Sequence, residues 1–343
     1  MLGTRVGKEA PRFHSSCLFD GHTNRKMPVV NRTFHSPLQA KGTQPILGVF
    51  NFAMTDARVL SIQSHVVHGY VGNRSAVFPL QLLGVEVDVL NTVHLSNHTG
   101  YKKFRGQRMD AAQLEEVVLG LEENDLLNYS HLLTGYIGSP GLAQAIVNTL
   151  TKLRAKNKDT LYVCDPVMGD ENKLYVPREL VDIYRDQIIP LADIVTPNQF
   201  ECELLTGLPM TCDTDVIQAC RHLHGMGPKI VVISSFLTSD DAETLFIYAS
   251  EKISGTEFQQ FKMEIPRLQE YYSGTGDLFA ALLLGWLSRP DVGLKSAVEN
   301  IVASIQAVLK RTSAAQSANR ELKLIQSRHD LEFPTVTIHA TAF

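Results

Sequence analysis

The sequence specifies an α/β protein whose central, largely parallel sheet is covered by helices on both faces. Two observations carry this. From residue 57 onward, short apolar and β-branched runs alternate with longer stretches of helical period. Polar clusters then fall at the carboxyl ends of those runs, where open α/β sheets bind their ligands. The strand candidates are Arg58–Gln63, Val85–Val93, Ser130–Thr134, Thr160–Asp165, Asp193–Thr196 and Lys229–Ser235, with Ala242–Tyr248 and Gln259–Ile265 as further strands near an edge. Between them, Leu114, Val117, Val118 and Leu121 keep one helical face apolar. Leu294, Val298, Ile301, Val302, Ile305, Val308 and Leu309 mark a longer helix ending in Lys310 and Arg311, cations suited to a helix C-terminus. Leu278 to Leu287 predicts an almost wholly apolar helix. Neither an internal repeat nor a Pro/Gly-rich linker follows residue 57, so residues 57–343 are read as one domain.

At 343 residues the chain can bury a large core, and 44% hydrophobic with 20% charged residues is ordinary for a globular protein. A net charge of −4 gives no electrostatic case for nucleic acid. The longest apolar runs are about half of what a bilayer requires, so no transmembrane helix is expected. Five cysteines (Cys17, Cys164, Cys202, Cys212, Cys220) are an odd number without a Cys-x-x-Cys pair, which suits a reducing compartment. Cys164 lies in a strand-like run and reads as a small buried hydrophobe. Residues 1–55 differ from the rest: seven Lys/Arg against Glu9 and Asp20 give a net of +5, leaving −9 for the remainder. This basic, acid-poor leader (residues 1–56) resembles a mitochondrial or plastid transit peptide; a disordered tail is the alternative. Met54 would start a shorter, cytoplasmic form.

The run from Tyr272 to Asp277, ending Gly274-Thr275-Gly276-Asp277, carries the most chemistry. Glycines expose backbone N–H groups at the start of a helix, a cradle for phosphate oxygens. An acid beside such a cradle would repel phosphate unless it has another task, and taking a proton from an attacking alcohol is that task. An ordinary turn with Asp277 as N-cap is the alternative. Further clusters stand after the other strands: Gln63-Ser64-His65, Ser96 to Tyr101, Thr134-Gly135-Tyr136, Asp165 to Asp170, Thr196 to Glu201 and Ser234-Ser235. No P-loop and no dinucleotide fingerprint is present. His65 and His68, three apart without a third ligand nearby, argue against zinc. Asp165, Asp170 and Glu201 are hard oxygen groups suited to magnesium shared with substrate phosphates; helix caps and surface acids are the alternative. Together these residues point to phosphoryl transfer from a nucleotide to an alcohol.

These segments resemble the ribokinase-like (PfkB) superfamily and, within it, the pyridoxal kinase family. Val59 to His65, Gly69 to Asn73, Ser96 to Tyr101, Leu133 to Tyr136, Cys164 to Asp170, Leu174 to Pro177, Thr196 to Glu201 and Gly274 to Asp277 match in order, covering about residues 57–343. Ile-Gln-Ser-His and Ser-Asn-His-Thr-Gly-Tyr are the specific motifs; Gly-Thr-Gly-Asp and Thr-Pro-Asn-x-x-Glu are shared with neighbouring kinases. The Gly-Gly pair of sugar-kinase lids is missing from this chain. The resemblance implies a three-layer α/β/α sandwich and ATP-dependent phosphorylation of the 5′-hydroxymethyl of pyridoxal, pyridoxine and pyridoxamine. It implies Asp277 as base, with Gly274, Thr275 and Gly276 stabilising the transferring phosphate. Ser64 and Thr99 would bond the pyridine ring, flanked by Val71 and Tyr136. Asn198, Ser234, Ser235, Tyr175, Gly274 and Thr275 would meet ATP, and Asp165, Asp170, Thr196 and Glu201 would hold cations. Mg²⁺, activating K⁺ and a homodimer are further implications. Leu95 stands where members commonly carry Phe, and the Asp170–Tyr175 segment is short compared with vertebrate relatives. A hydroxymethylpyrimidine-type kinase and a non-catalytic pyridoxal phosphate carrier remain the alternatives.

Overall fold

The computed structural model describes residues 56–239, 242–268, 270–315 and 320–343. By compactness the chain divides into Met1–Asn51 and Phe52–Phe343. The leader, with its transit-peptide reading, lies outside the described residues. The strands and helices among the described residues all belong to the second unit.

Twelve strands are present among the described residues: β1 Arg58–Val66, β2 Glu86–Leu95, β3 Gly106–Arg108, β4 His131–Thr134, β5 Leu161–Cys164, β6 Gly169–Asp170, β7 Lys173–Leu174, β8 Ile194–Val195, β9 Ile230–Phe236, β10 Thr244–Ser254, β11 Glu257–Pro266 and β12 Thr341–Ala342. The α-helices are α1 Asn73–Leu82, α2 Ala111–Glu123, α3 Pro140–Lys156, α4 Glu179–Ile183, α5 Gln199–Thr206, α6 Asp213–Met226, α7 Thr275–Leu287, α8 Leu294–Ala314 and α9 Arg328–Glu332. Ten strands form one sheet in the order β12-β11-β10-β9-β8-β5-β4-β1-β2-β3, while β6 and β7 make a separate hairpin. Pairing is parallel from β2 through β1, β4, β5 and β8 to β9, and antiparallel at both margins.

Strand alternation builds the two cores. Leu132 and Leu133 are consecutive in β4, so their side chains leave opposite faces of the sheet. Leu132 joins Leu60, Ile62, Leu114, Leu150 and Tyr184 on the side of α2, α3 and α4. Leu133 joins Val59, Val163, Val232, Leu282 and Ile301 on the side of α1, α7 and α8. Such side chains contribute roughly 1.5–3 kcal/mol each when fully buried. Helix α7 is apolar on every side because it is enclosed on every side: Leu278 through Trp286 are all buried.

Caps fix the helix starts. Asp110 and Gln113 form a capping box on α2, and the Ser139 hydroxyl accepts the Leu142 N–H on α3, where Pro140 occupies the first helical position. Several boundaries depart from the sequence expectation; β10 runs on to Ser254, six residues past the expected Tyr248. Strand β1 runs on to Val66, past a register shift at Gln63/Ser64, so Ser64 and His65 lie within the strand rather than after it. A bulge of this kind re-aims the side chains beyond it. Helix α7 begins at Thr275, three residues before the apolar run. Asp277 is therefore its third residue, not its N-cap.

Candidate active site

Gly274 caps α7 in a left-handed conformation, φ 85°, and a Cβ there would fall 1.9 Å from the Tyr70 carbonyl oxygen. Only glycine lets the two segments approach so closely. The Ser75 hydroxyl donates to the Gly274 carbonyl at 2.9 Å, fixing the turn from below. The N–H groups opening α7 have no partner within the helix and point out of its positive end, into the rim. The Asp277 carboxylate does not cap its own helix; the nearby Gly72 backbone N–H favours its ionised form. Burial raises its pKa, and the Gly72 N–H draws it back down. Its Oδ1 lies 3.5 Å from where a Cβ on Gly135 would stand, directly beyond the end of β4. The catalytic candidate thus sits at the carboxyl tips of the parallel strands.

Asp165, just beyond β5, is buried and accepts the Thr196 hydroxyl at 3.2 Å. Its Oδ2 comes within 3.6 Å of a Cβ position on Gly276, which places it against the phosphate cradle. Burial, then the charges of Glu201 and Asp277, hold its carboxyl well above the ordinary range. Glu201 is the third residue of α5 and completes a capping box with Asn198, taking the Asn198 N–H at 2.9 Å. It also accepts the N–H groups of Met168 at 2.9 Å and Gly169 at 3.4 Å. Burial pushes its carboxyl up to about 8, against the pull of those three donors. Asp170 is turned toward its own hairpin, where it accepts the Glu171 N–H at 2.9 Å, and it touches neither Asp165 nor Glu201 by hydrogen bond.

Among the described residues no three His, Cys, Asp or Glu side chains form a group able to hold a metal ion by themselves. The chemistry of the donors nonetheless suits a hard cation. Asp165 and Glu201 are both buried acids: the Glu201 charge raises the Asp165 carboxyl, the Asp170 charge raises that of Glu201, and no salt bridge joins Asp165 or Glu201 to a Lys or Arg among the described residues. An oxygen-seeking cation shared with phosphate oxygens and water would relieve that repulsion.

On the β1–β2 side, Val71 and Tyr136 pack against Val66, Val93 and Leu95. Leu95 is thus part of the wall itself. Ser64 lies under Gly72, whose φ of 53° keeps the backbone off it: a Cβ would meet the Ser64 carbonyl at 2.1 Å. Thr99 is exposed on the loop after β2, and the neighbouring Gly100 has a Cβ position 3.9 Å from the Ser273 hydroxyl. On the other side, Asn198 donates to the Gly169 carbonyl at 2.8 Å, and the Ser234 N–H donates to Pro197 at 2.9 Å. Ser235 comes next, half-buried, in β9. Tyr175 is exposed, its hydroxyl 3.3 Å from that of Tyr271. Thr275 bonds the Tyr272 carbonyl at 3.4 Å.

Two contributors had no distinct signal in the sequence. Tyr271 and Glu321 act through chain-distant contacts: Tyr271 meets Tyr175, 96 positions away, and Glu321 bonds residues 251 and 220 positions away.

A mostly parallel sheet, with an acid at the third position of a glycine-opened helix on its carboxyl rim, defines a ribokinase-like small-molecule kinase. The sequence model of a family described as phosphomethylpyrimidine kinase matches residues 90–322. A pyridoxal kinase from Arabidopsis thaliana is 48% identical over 309 residues, covering 88% of this chain and 99% of its own. A human pyridoxal kinase is 40% identical, covering 83% and 98%. The solved pyridoxal kinase of Leishmania donovani, in complex with ADP and pyridoxamine, superimposes with a TM-score of 0.79 at 35% identity, covering 84% and 100%. The chain belongs to the pyridoxal kinase family.

Proposed function

We infer that this protein phosphorylates the 5′-hydroxymethyl group of pyridoxal, pyridoxine and pyridoxamine with ATP, releasing ADP. The single observation that carries this is Asp277: a buried ionisable acid at the strand tips, beside Gly135 and in the first turn of the glycine-opened α7. The relatives add the substrate class, since similar structures hold ADP with pyridoxamine or pyridoxine. A putative phosphomethylpyrimidine kinase shares the fold at a TM-score of 0.77 and 25% identity, against 48% for the Arabidopsis thaliana pyridoxal kinase.

In this reading Asp277 takes the proton of the vitamer's hydroxyl as its oxygen attacks the γ-phosphorus. The bond from that phosphorus to the bridging oxygen of ADP breaks, and the electron pair leaves on ADP. The N–H groups of Gly274, Thr275 and Gly276 hold the equatorial oxygens in flight, worth roughly 3 kcal/mol per donor. Ser64 and Thr99 bond the ring, with Val71, Tyr136 and Leu95 enclosing it. Asn198, Ser234, Ser235 and Tyr175 meet the nucleotide. Asp165, Thr196 and Glu201, with Asp170 nearby, would hold Mg²⁺ and an activating K⁺ directly or through water, neutralising phosphate charge.

A coupled ADP assay offering pyridoxal, hydroxymethylpyrimidine and ribose in turn tests the substrate. Turnover with pyridoxal is expected; turnover with the pyrimidine alone transfers the assignment to that kinase type, and a protein that binds pyridoxal phosphate without turnover is a carrier. A homodimer completes the proposal, with a form starting at Met54 acting in the cytoplasm and residues 1–53 directing the longer form into mitochondria or plastids. Sedimentation at a monomer's mass, or a leader–reporter fusion that stays cytoplasmic, would remove those two parts.

A further inference from the structure

Glu321 lies far from the motifs yet stands at the junction of two loops, and only 8% of its surface is exposed. Its Oε2 accepts the Tyr70 N–H at 3.0 Å. Its Oε1 accepts the Tyr101 hydroxyl at 2.7 Å and faces His98 Nε2 at 3.3 Å. The Gly100 N–H donates to His98 Nδ1 at 3.2 Å. Nδ1 is therefore the acceptor, and the ring's proton sits on Nε2, aimed at Glu321. One carboxylate thus gathers three donors, one from the Gly69–Asn73 loop and two from the Ser96–Tyr101 loop. Gly69 makes room for it: with φ 98°, a Cβ there would fall 2.5 Å from Oε2. Burial pushes the Glu321 carboxyl up, and the bonds from His98, Tyr101 and the Tyr70 N–H outweigh that, leaving it below the ordinary glutamate value.

Both loops matter to the site. The first supplies the Gly72 N–H to Asp277 and sets the Tyr70 carbonyl against Gly274. The second carries Thr99 over the vitamer side. We propose that Glu321 is a positioning residue for the acceptor half of the site, clasping the loop that holds the base to the loop that closes on the vitamer. The ATP half, at Asn198, Ser234 and Ser235, makes no contact with Glu321. This inference rests on the vitamer reading above and deepens it.

Steady-state kinetics of the full chain with pyridoxal and ATP provide the test. Glu321→Gln keeps one acceptor and loses the charge; it is expected to raise KM for pyridoxal about tenfold, the equivalent of one charge-assisted hydrogen bond, while KM for ATP stays within about twofold. Tyr101→Phe deletes a single oxygen, so it preserves folding even if the first variant does not, and is expected to shift the same KM. The double variant should then cost less than the product of the two. A pyridoxal KM within about twofold of wild type in both, or an ATP KM rising in parallel, overturns the clasp. A wild-type protein that turns over pyridoxal beside unresponsive variants sinks this inference alone. A wild-type protein inactive on pyridoxal sinks the vitamer reading first.

Discussion

Gly72 does two things that no other residue type can do together. It turns left-handed over Ser64, and it presents its N–H to the Asp277 carboxylate. Gly72→Ala must push a Cβ into the Ser64 carbonyl, so the loop moves and its N–H is displaced from Asp277. Turnover of pyridoxal is expected to fall at least about tenfold, roughly one hydrogen bond's worth, measured against unchanged far-ultraviolet circular dichroism. The pH profile depends on the same carboxylate. As the proposed base Asp277 works ionised, and burial raises its pKa, so kcat is lost as pH falls through a value above that of a free aspartate, about 3.9. A kcat that stays flat down to about pH 4 would contradict a buried base. Part of this was legible in the chain: Gly274-Thr275-Gly276-Asp277 announces a cradle and an acid by residue type alone. That the Gly72 N–H favours the acid's ionised form was not legible, because a backbone N–H leaves no mark in a sequence.

Helix α5 shows how one element serves stability and ligand at once. Asn198 caps it with its side chain accepting the Glu201 N–H, while its amide donates to Gly169 in the β6–β7 hairpin. Asn198→Ala removes both, and is expected to cost about 1 kcal/mol of stability. Because Asn198 is proposed to meet the nucleotide, the same change should raise KM for ATP and leave KM for pyridoxal unmoved; the reverse pattern would relocate its role. At this scale the long strands were readable and most of the short ones were not, β8 (Ile194–Val195) being the exception. The strands from β1 to β11 that line the core carry apolar, β-branched runs, and α8 spells its buried stripe in Leu294, Val298, Ile301, Val302 and Val308. Strands β3, β6, β7 and β12 span two or three residues, too few for any periodicity. The bulge in β1 depends on pairing with β2, a partner distant in the chain, and Gln63-Ser64 alone does not encode it.

For the molecule as a whole, the sheet gathers groups from distant parts of the chain onto one rim: Asp165 after β5, Thr196 after β8, and Asp277 in α7. The repulsion that the charges of Glu201 and Asp277 exert on Asp165 is the physical reason to expect dependence on cations. Chelation with EDTA should abolish turnover and added Mg²⁺ should restore it; full activity in EDTA would show that these carboxylates hold no metal. The gathering also explains why Glu321 carries no signal in the chain. It stands beyond α8 in a segment without apolar period, and its partners come together only when the fold closes. The central claim remains the proton transfer at Asp277, and its most direct test is single-turnover kinetics of Asp277→Ala with ATP binding measured in parallel. The account predicts a loss of at least about a hundredfold in the chemical step with ATP affinity retained. Turnover near the wild-type rate would contradict it.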